Sequence, residues 1–178
     1  MDIENKKVLI LGAWGLVGNA ITRKIIKDNP SKLILTSLHE EDINAYKKQL
    51  LDEFPQFADE QIVTSWGNIF VREDFKDADR ELLLQDEQSR KTLIEDVMEE
   101  MDDSILKSSS LYKLISEHKP DIIIDCINTA TGIAYQDIYT AYNRINKVLN
   151  SEVSAAQLPE EIQPLLASIY VPPLISHI

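Results

Sequence analysis

The chain has 178 residues and is 44% hydrophobic, enough for one domain that buries a core without staples. With 30 acidic residues against 18 basic ones its net charge is −12, and no basic cluster offsets it, which excludes a nucleic-acid backbone as partner. A single cysteine, Cys126, excludes an internal disulfide; no apolar run reaches bilayer length, and the first strand begins within a few residues of Met1, so a cytoplasmic protein with no leader and no membrane partner is expected.

Residues 6–20 organise the chain. Val8, Leu9, Ile10 and Leu11 form a short apolar run of the kind that makes a strand covered on both faces. Val17, Ala20, Ile21 and Ile25 then recur at helical spacing. Between the two periods stand three glycines with separate expected roles: Gly12 permits a tight turn, Gly15 lets the backbone approach a pyrophosphate, and Gly18 lets the helix pack close to the strand. The free N–H groups of the first helical turn would face the phosphates. Gly12, Ala13, Trp14, Gly15, Leu16, Val17 and Gly18 are therefore the first candidate dinucleotide-binding residues. Trp14 is expected beside the phosphates or shielding the turn. A P-loop is excluded, because GxxxxGK[ST] is absent and Asn19 follows the last glycine. The GxxGxxG spacing resembles that of the extended short-chain dehydrogenase/reductase superfamily, which includes nucleotide-sugar epimerases and dehydratases.

Pro30 closes the first helix, and residues 32–37 read as the second parallel strand. In NAD-binding folds an acid about 20 residues past the glycines accepts the ribose hydroxyls. That position falls here on Thr36 or Ser37. Glu40, Glu41 and Asp42 come slightly later and read as the negatively charged first turn of the next helix. A 2′-phosphate would want a nearby cation, for which only His39 offers itself against that acidic trio, so the cofactor is NAD or NADP.

Ile43, Tyr46, Leu50, Leu51 and Phe54 mark the second helix, closed by Pro55, and residues 61–65 the third strand. The residues that follow resemble the superfamily's segment after its third strand, where a carboxylate precedes an apolar residue lying against adenine. Asn68 and Ile69 occupy those places. Asn68 either accepts from the adenine amino group through its amide oxygen or is a plain turn residue.

Residues 71–119 form a charged helical insertion, read as two helices. Leu93, Val97 and Met101, with Ile94, Met98 and Ile105, make an apolar stripe, while Glu95, Asp96, Glu99, Glu100, Asp102 and Asp103 read as a solvated face and not as a metal site. Ser108, Ser109 and Ser110 form a break and an N-cap before a second helix carrying Leu111, Leu114 and Ile115.

Residues 120–126 read as a central fourth strand. The turn after it, Ile127, Asn128, Thr129 and Ala130, resembles the superfamily's turn beneath the cofactor ribose and nicotinamide. Cys126, with no histidine close in sequence, reads as a buried small hydrophobe. Residues 136–149 form a further amphipathic helix, but the superfamily's catalytic Tyr-x-x-x-Lys pair is missing: Tyr142 is followed by Asn146 and Lys147, and neither Tyr135 nor Tyr139 has a suitable lysine. Catalytic residues stay unassigned.

The expected fold is α/β, a doubly wound parallel sheet of about four strands in the order 3-2-1-4, as one Rossmann-like domain over 1–178 ending before the superfamily's catalytic segment. The resemblance implies binding of NAD or NADP as the N-terminal part of an oxidoreductase or a nucleotide-sugar epimerase or dehydratase. The alternatives are a non-catalytic scaffold acting through the acidic insertion or the open edge of the fourth strand, with a homo-oligomer among its forms, and an S-adenosylmethionine-dependent methyltransferase.

Overall fold

Four short runs, Lys7–Leu11 (β1), Lys32–Ser37 (β2), Ile62–Trp66 (β3) and Ile122–Asp125 (β4), pair in parallel in the order β3-β2-β1-β4. They belong to a computed structural model that describes residues 2–98 and 100–127, with the backbone alone for Arg80, Glu81, Leu84, Val97 and Met98. The expected α/β, Rossmann-like sheet is present in the expected strand order. Asn128, Thr129, Ala130, the helix read over 136–149 and the tail beyond it lie outside the described residues.

The two central strands are apolar through their middles because both faces are covered there. Val8, Leu9 and Ile10 register with Leu33, Ile34 and Leu35, and all six are fully buried. Side chains alternate across the pleat. Val8, Ile10, Leu33 and Leu35 join one cluster with Ile25, Ile26, Ile43, Tyr46 and Leu50, from the helices Leu16–Ile25 (α1) and Glu40–Glu53 (α2) and the turn between. Leu9, Leu11 and Ile34 face the other way, toward Ile69 and Leu114. Each such aliphatic side chain contributes about 2 kcal/mol by leaving water.

The first helix presents a different face from the one its periodicity predicts. Gly18, Thr22 and Ile25 are buried, whereas Val17 is 58% exposed and Ala20 is also exposed. The cause is Gly18, whose approach to the β1 turn fixes the rotation of α1. A short 3-10 turn follows and ends at Asn29 in the left-handed region, just before Pro30.

Among the described residues the insertion holds four α-helices, not the expected two: Arg80–Gln85 (α3), Glu87–Met98 (α4), Asp103–Ser108 (α5) and Ser110–His118 (α6). Capping carboxylates break it up. Asp86 accepts the Ser89 N–H at 2.8 Å, and Asp102 accepts the N–H groups of Ser104 and Ile105, each at 2.8 Å. The stripe read from Leu93 to Ile105 is thereby cut, and Met101 is 69% exposed. Ser109 caps α6 as expected, accepting from the Tyr112 N–H. A second correction concerns Asp96, which is not on a solvated face. Its carboxylate, 11% exposed, takes a two-pronged pair of hydrogen bonds from the Arg72 guanidinium at 2.7 and 2.6 Å. That pair ties α4 to the segment after β3. Among the described residues no helix is long and apolar enough to cross a membrane.

Candidate functional site

The C-terminal end of β1 runs straight into the glycine turn. Gly12 adopts a φ of +71°, a left-handed conformation that side chains resist. Three hydrogen bonds hold the turn: the Gly12 N–H donates to the Thr36 hydroxyl at 3.2 Å, the Ala13 N–H to the Thr36 carbonyl at 2.8 Å, and the Gly15 N–H to the Gly12 carbonyl at 3.1 Å. The end of β2 thus shapes the turn after β1.

Gly15 is the N-cap of α1. No side chain caps this helix and its first turn holds no acid, so its positive end faces outward without an internal counter-charge. A Cβ on Gly18 would lie 2.1 Å from the Gly12 carbonyl oxygen and 2.8 Å from the Ala13 Cα, which only glycine avoids. A Cβ on Gly15 would meet a single neighbour, the Gly12 oxygen at 3.3 Å. Gly18 is set by packing, and Gly15 leaves an open approach to the backbone.

Chain direction puts this turn at the sheet's switch point. The connections from β1 to β2 to β3 move one way, while β4 returns to the other side of β1, the arrangement that in doubly wound sheets opens a crevice at the C-terminal ends of the strands. The Cys126 N–H donates to the Leu11 carbonyl at 3.0 Å, and the Asp125 carboxylate accepts the Ile127 N–H at 2.8 Å, curling the chain after β4. A Cβ on Gly12 would lie 3.0 Å from the Ile127 Cγ1. Ile127 therefore stands against the glycine turn, and Asn128, Thr129 and Ala130 fall outside the described residues.

The remaining candidates divide. Leu16 is 91% exposed at the start of α1, beside the open Val17. Trp14 sets its ring edge-on to Tyr46, 5.7 Å between centroids, so it leans on α2. Thr36 is buried, its hydroxyl already accepting from Gly12. Ser37 lies at the half-open end of β2, its carbonyl accepting from the Gly67 N–H at 3.1 Å. Asn68 accepts the Phe70 N–H at 3.0 Å through its own amide oxygen. Ile69 is 8% exposed in the cluster with Leu11 and Leu114. Glu40, Glu41 and Asp42 form the first turn of α2, as the dipole reading expects.

Sequence reasoning missed Leu38 and Phe70. They are 59% and 50% exposed on the loops after β2 and β3, which are bonded together by the Gly67 N–H to the Ser37 and Leu38 carbonyls. For Leu38 the signal was a large apolar residue one step beyond the polar end of β2; Phe70, four residues past β3, carried none. Burial, and then the neighbouring Asp125 carboxylate, push the Cys126 thiol up, which suits an unreactive packing residue.

No family model matches the chain, and no curated protein matches it. Among solved structures, Pen from Bacillus thuringiensis is similar at 13% identity, with a TM-score of 0.42. The likeness covers 86% of this chain and 50% of that one, so the chain spans about half the length of that protein, and a likeness of this degree carries no argument about function.

Proposed function

We propose that this chain is the dinucleotide-binding N-terminal part of an NAD(P)-dependent oxidoreductase, or of a nucleotide-sugar epimerase or dehydratase, of the short-chain dehydrogenase/reductase kind. The observation that carries the reading is the uncapped N-terminus of α1, set at the switch point by the fit of Gly18 against Gly12. The fit to the pyrophosphate is good: the open Gly15 and the first-turn N–H groups match an anion held by backbone donors. Leu38 and Phe70 supply apolar surface on the two adjoining loops for an adenine ring. A bound nicotinamide cofactor supplies hydride-transfer chemistry. The residues of this chain bind and orient it, and no Tyr-x-x-x-Lys pair is present to carry a proton. NAD and NADP both remain candidates, with Glu40, Glu41 and Asp42 opposing a 2′-phosphate. Titration calorimetry with NAD, NADH, NADP and NADPH tests the reading. Saturable binding of one of them is expected, and no heat from any at millimolar concentration overturns it.

A second reading, a non-catalytic Rossmann-like scaffold, draws support from Thr36 and Asn68. The Thr36 hydroxyl and the Asn68 amide oxygen each accept a backbone N–H of this chain, where a dinucleotide-binding protein would turn them to the adenosine. Light scattering after size exclusion separates the two. A tight dimer without cofactor affinity favours the scaffold, and a cofactor-binding monomer rejects it.

A further inference from the structure

The loops after β2 and β3 meet at Gly67, whose N–H donates to the Ser37 carbonyl at 3.1 Å and to the Leu38 carbonyl at 3.2 Å. Each loop carries one exposed apolar side chain, Leu38 on the first and Phe70 on the second. With a pyrophosphate at the N-terminus of α1 and its ribose at the end of β2, the base of a dinucleotide lies over this junction, a placement that rests on the dinucleotide reading.

The polar groups of the junction are committed elsewhere. The Asn68 amide oxygen accepts the Phe70 N–H at 3.0 Å, a bond across two residues that turns the oxygen back onto its own loop and fixes which end of the amide is the NH2. The Thr36 hydroxyl, 2% exposed, accepts the Gly12 N–H. Of the four N–H groups from Gly67 to Phe70, those of Gly67, Asn68 and Phe70 bond within the chain, that of Asn68 to the Lys76 carbonyl at 2.8 Å. The fourth, at Ile69, is a donor and offers nothing to an amino group.

Adenine carries a donating 6-amino group where hypoxanthine and guanine carry an accepting 6-oxygen. To favour adenine, a site needs an acceptor at that edge. The amide oxygen of Asn68 is engaged, and the NH2 that remains is a donor, which suits a 6-oxygen at least as well.

We propose that the base subsite over Leu38 and Phe70 holds a purine by its faces and does not select its 6-substituent, so that the chain takes hypoxanthine dinucleotides as well as adenine ones. An aliphatic and an aromatic side chain supply the contact, and every purine presents them with the same kind of π-face.

Titration calorimetry on the full chain, with NAD, NADP and the hypoxanthine counterpart of each, tests it. The hypoxanthine dinucleotide is expected to bind within about threefold of its adenine counterpart, or more tightly. Phe70→Ala, at an exposed position, is expected to weaken both about tenfold, the scale of one stacked ring. Asn68→Asp keeps an oxygen on the Phe70 N–H and puts a second acceptor in place of the NH2, so it is expected to introduce a preference for adenine of about tenfold. Base tolerance is overturned if the parent favours the adenine dinucleotide by more than about threefold, which would hand the base edge to an acceptor such as the Asp77 carboxylate, whose oxygen a Cβ on Gly67 would meet at 2.9 Å. It is overturned equally if Phe70→Ala leaves both affinities unchanged or if Asn68→Asp leaves their ratio unchanged. Binding of none of these dinucleotides overturns the dinucleotide reading itself, and base tolerance with it.

Discussion

Thr36 reaches from the end of β2 to hold the turn after β1, its hydroxyl accepting the Gly12 N–H at 3.2 Å and its carbonyl the Ala13 N–H at 2.8 Å. It is 2% exposed, so its role is to shape the loop and not to meet a ligand. Thr36→Val keeps the volume and the carbonyl bond but leaves the Gly12 N–H without its acceptor. The expected loss is about 1–2 kcal/mol, read from urea unfolding midpoints at unchanged slope. A Val variant as stable as the parent would show that the hydroxyl contributes nothing to the turn.

The two downstream glycines are expected to respond in opposite ways. Gly18→Ala drives a methyl to 2.1 Å from the Gly12 carbonyl oxygen, so α1 must move off the sheet, at a cost of about 3 kcal/mol. Gly15→Ala meets the same oxygen at 3.3 Å in an ordinary backbone conformation and is expected to cost under about 1 kcal/mol. Dinucleotide affinity, where calorimetry detects it, is expected to fall about tenfold in Gly15→Ala, because the methyl stands where the pyrophosphate approaches. Equal affinity in Gly15→Ala and the parent would leave the loop as a turn only.

The same contrast separates what could be read from the residues alone from what could not. Val8, Leu9 and Ile10, or Leu33, Ile34 and Leu35, announce central parallel strands because burial on both faces leaves no polar alternation, and the order 3-2-1-4 follows from right-handed crossovers. Gly12 and Gly18 were legible because a left-handed turn and a sub-3 Å approach each exclude a Cβ. Val17 was misread, since a single close contact at Gly18 overrode the hydrophobic period of α1. In the insertion, Asp86 and Asp102 look like members of an acidic surface but act as caps, which hydropathy spacing does not register. Nor does spacing reveal that Asp96 has found Arg72, 24 residues earlier.

That pairing is itself open to test. Arg72 donates through both Nε and an Nη to Asp96 and lays its guanidinium carbon 5.6 Å from the Phe75 ring centre. The hydrogen bonds it donates to Asp96, more than any other cause, hold the Arg72 pKa above its ordinary value, so the guanidinium stays charged. Asp96→Ala is expected to cost about 2–3 kcal/mol, since it leaves a partly buried guanidinium unmatched. Arg72→Met with Asp96→Ala together are expected to cost less than the sum of the single changes. A strictly additive double-mutant cycle would mean the pair is a surface contact of no consequence.

Tyr46 links the glycine turn to alkaline stability. Its ring packs against Trp14, and its hydroxyl donates to the Asn19 carbonyl at 3.2 Å, so it touches both ends of the segment that opens α1. Burial raises its pKa above the ordinary phenol value; the Thr22 hydrogen bond and Arg23 pull it down and Glu53 pushes it up, but burial dominates. The folded state therefore binds this proton more tightly than the unfolded chain does. Its contribution is complete below about pH 10, the unfolded pKa, and is lost as the pH climbs through the higher folded value. Tyr46→Phe keeps the ring contact and removes the titration. At neutral pH the variant is expected to be about 1 kcal/mol less stable through the lost hydrogen bond, and its urea midpoint to decline less steeply than the parent's above about pH 10. Parallel declines in the two proteins would place the alkaline transition elsewhere and leave Tyr46 as packing for Trp14.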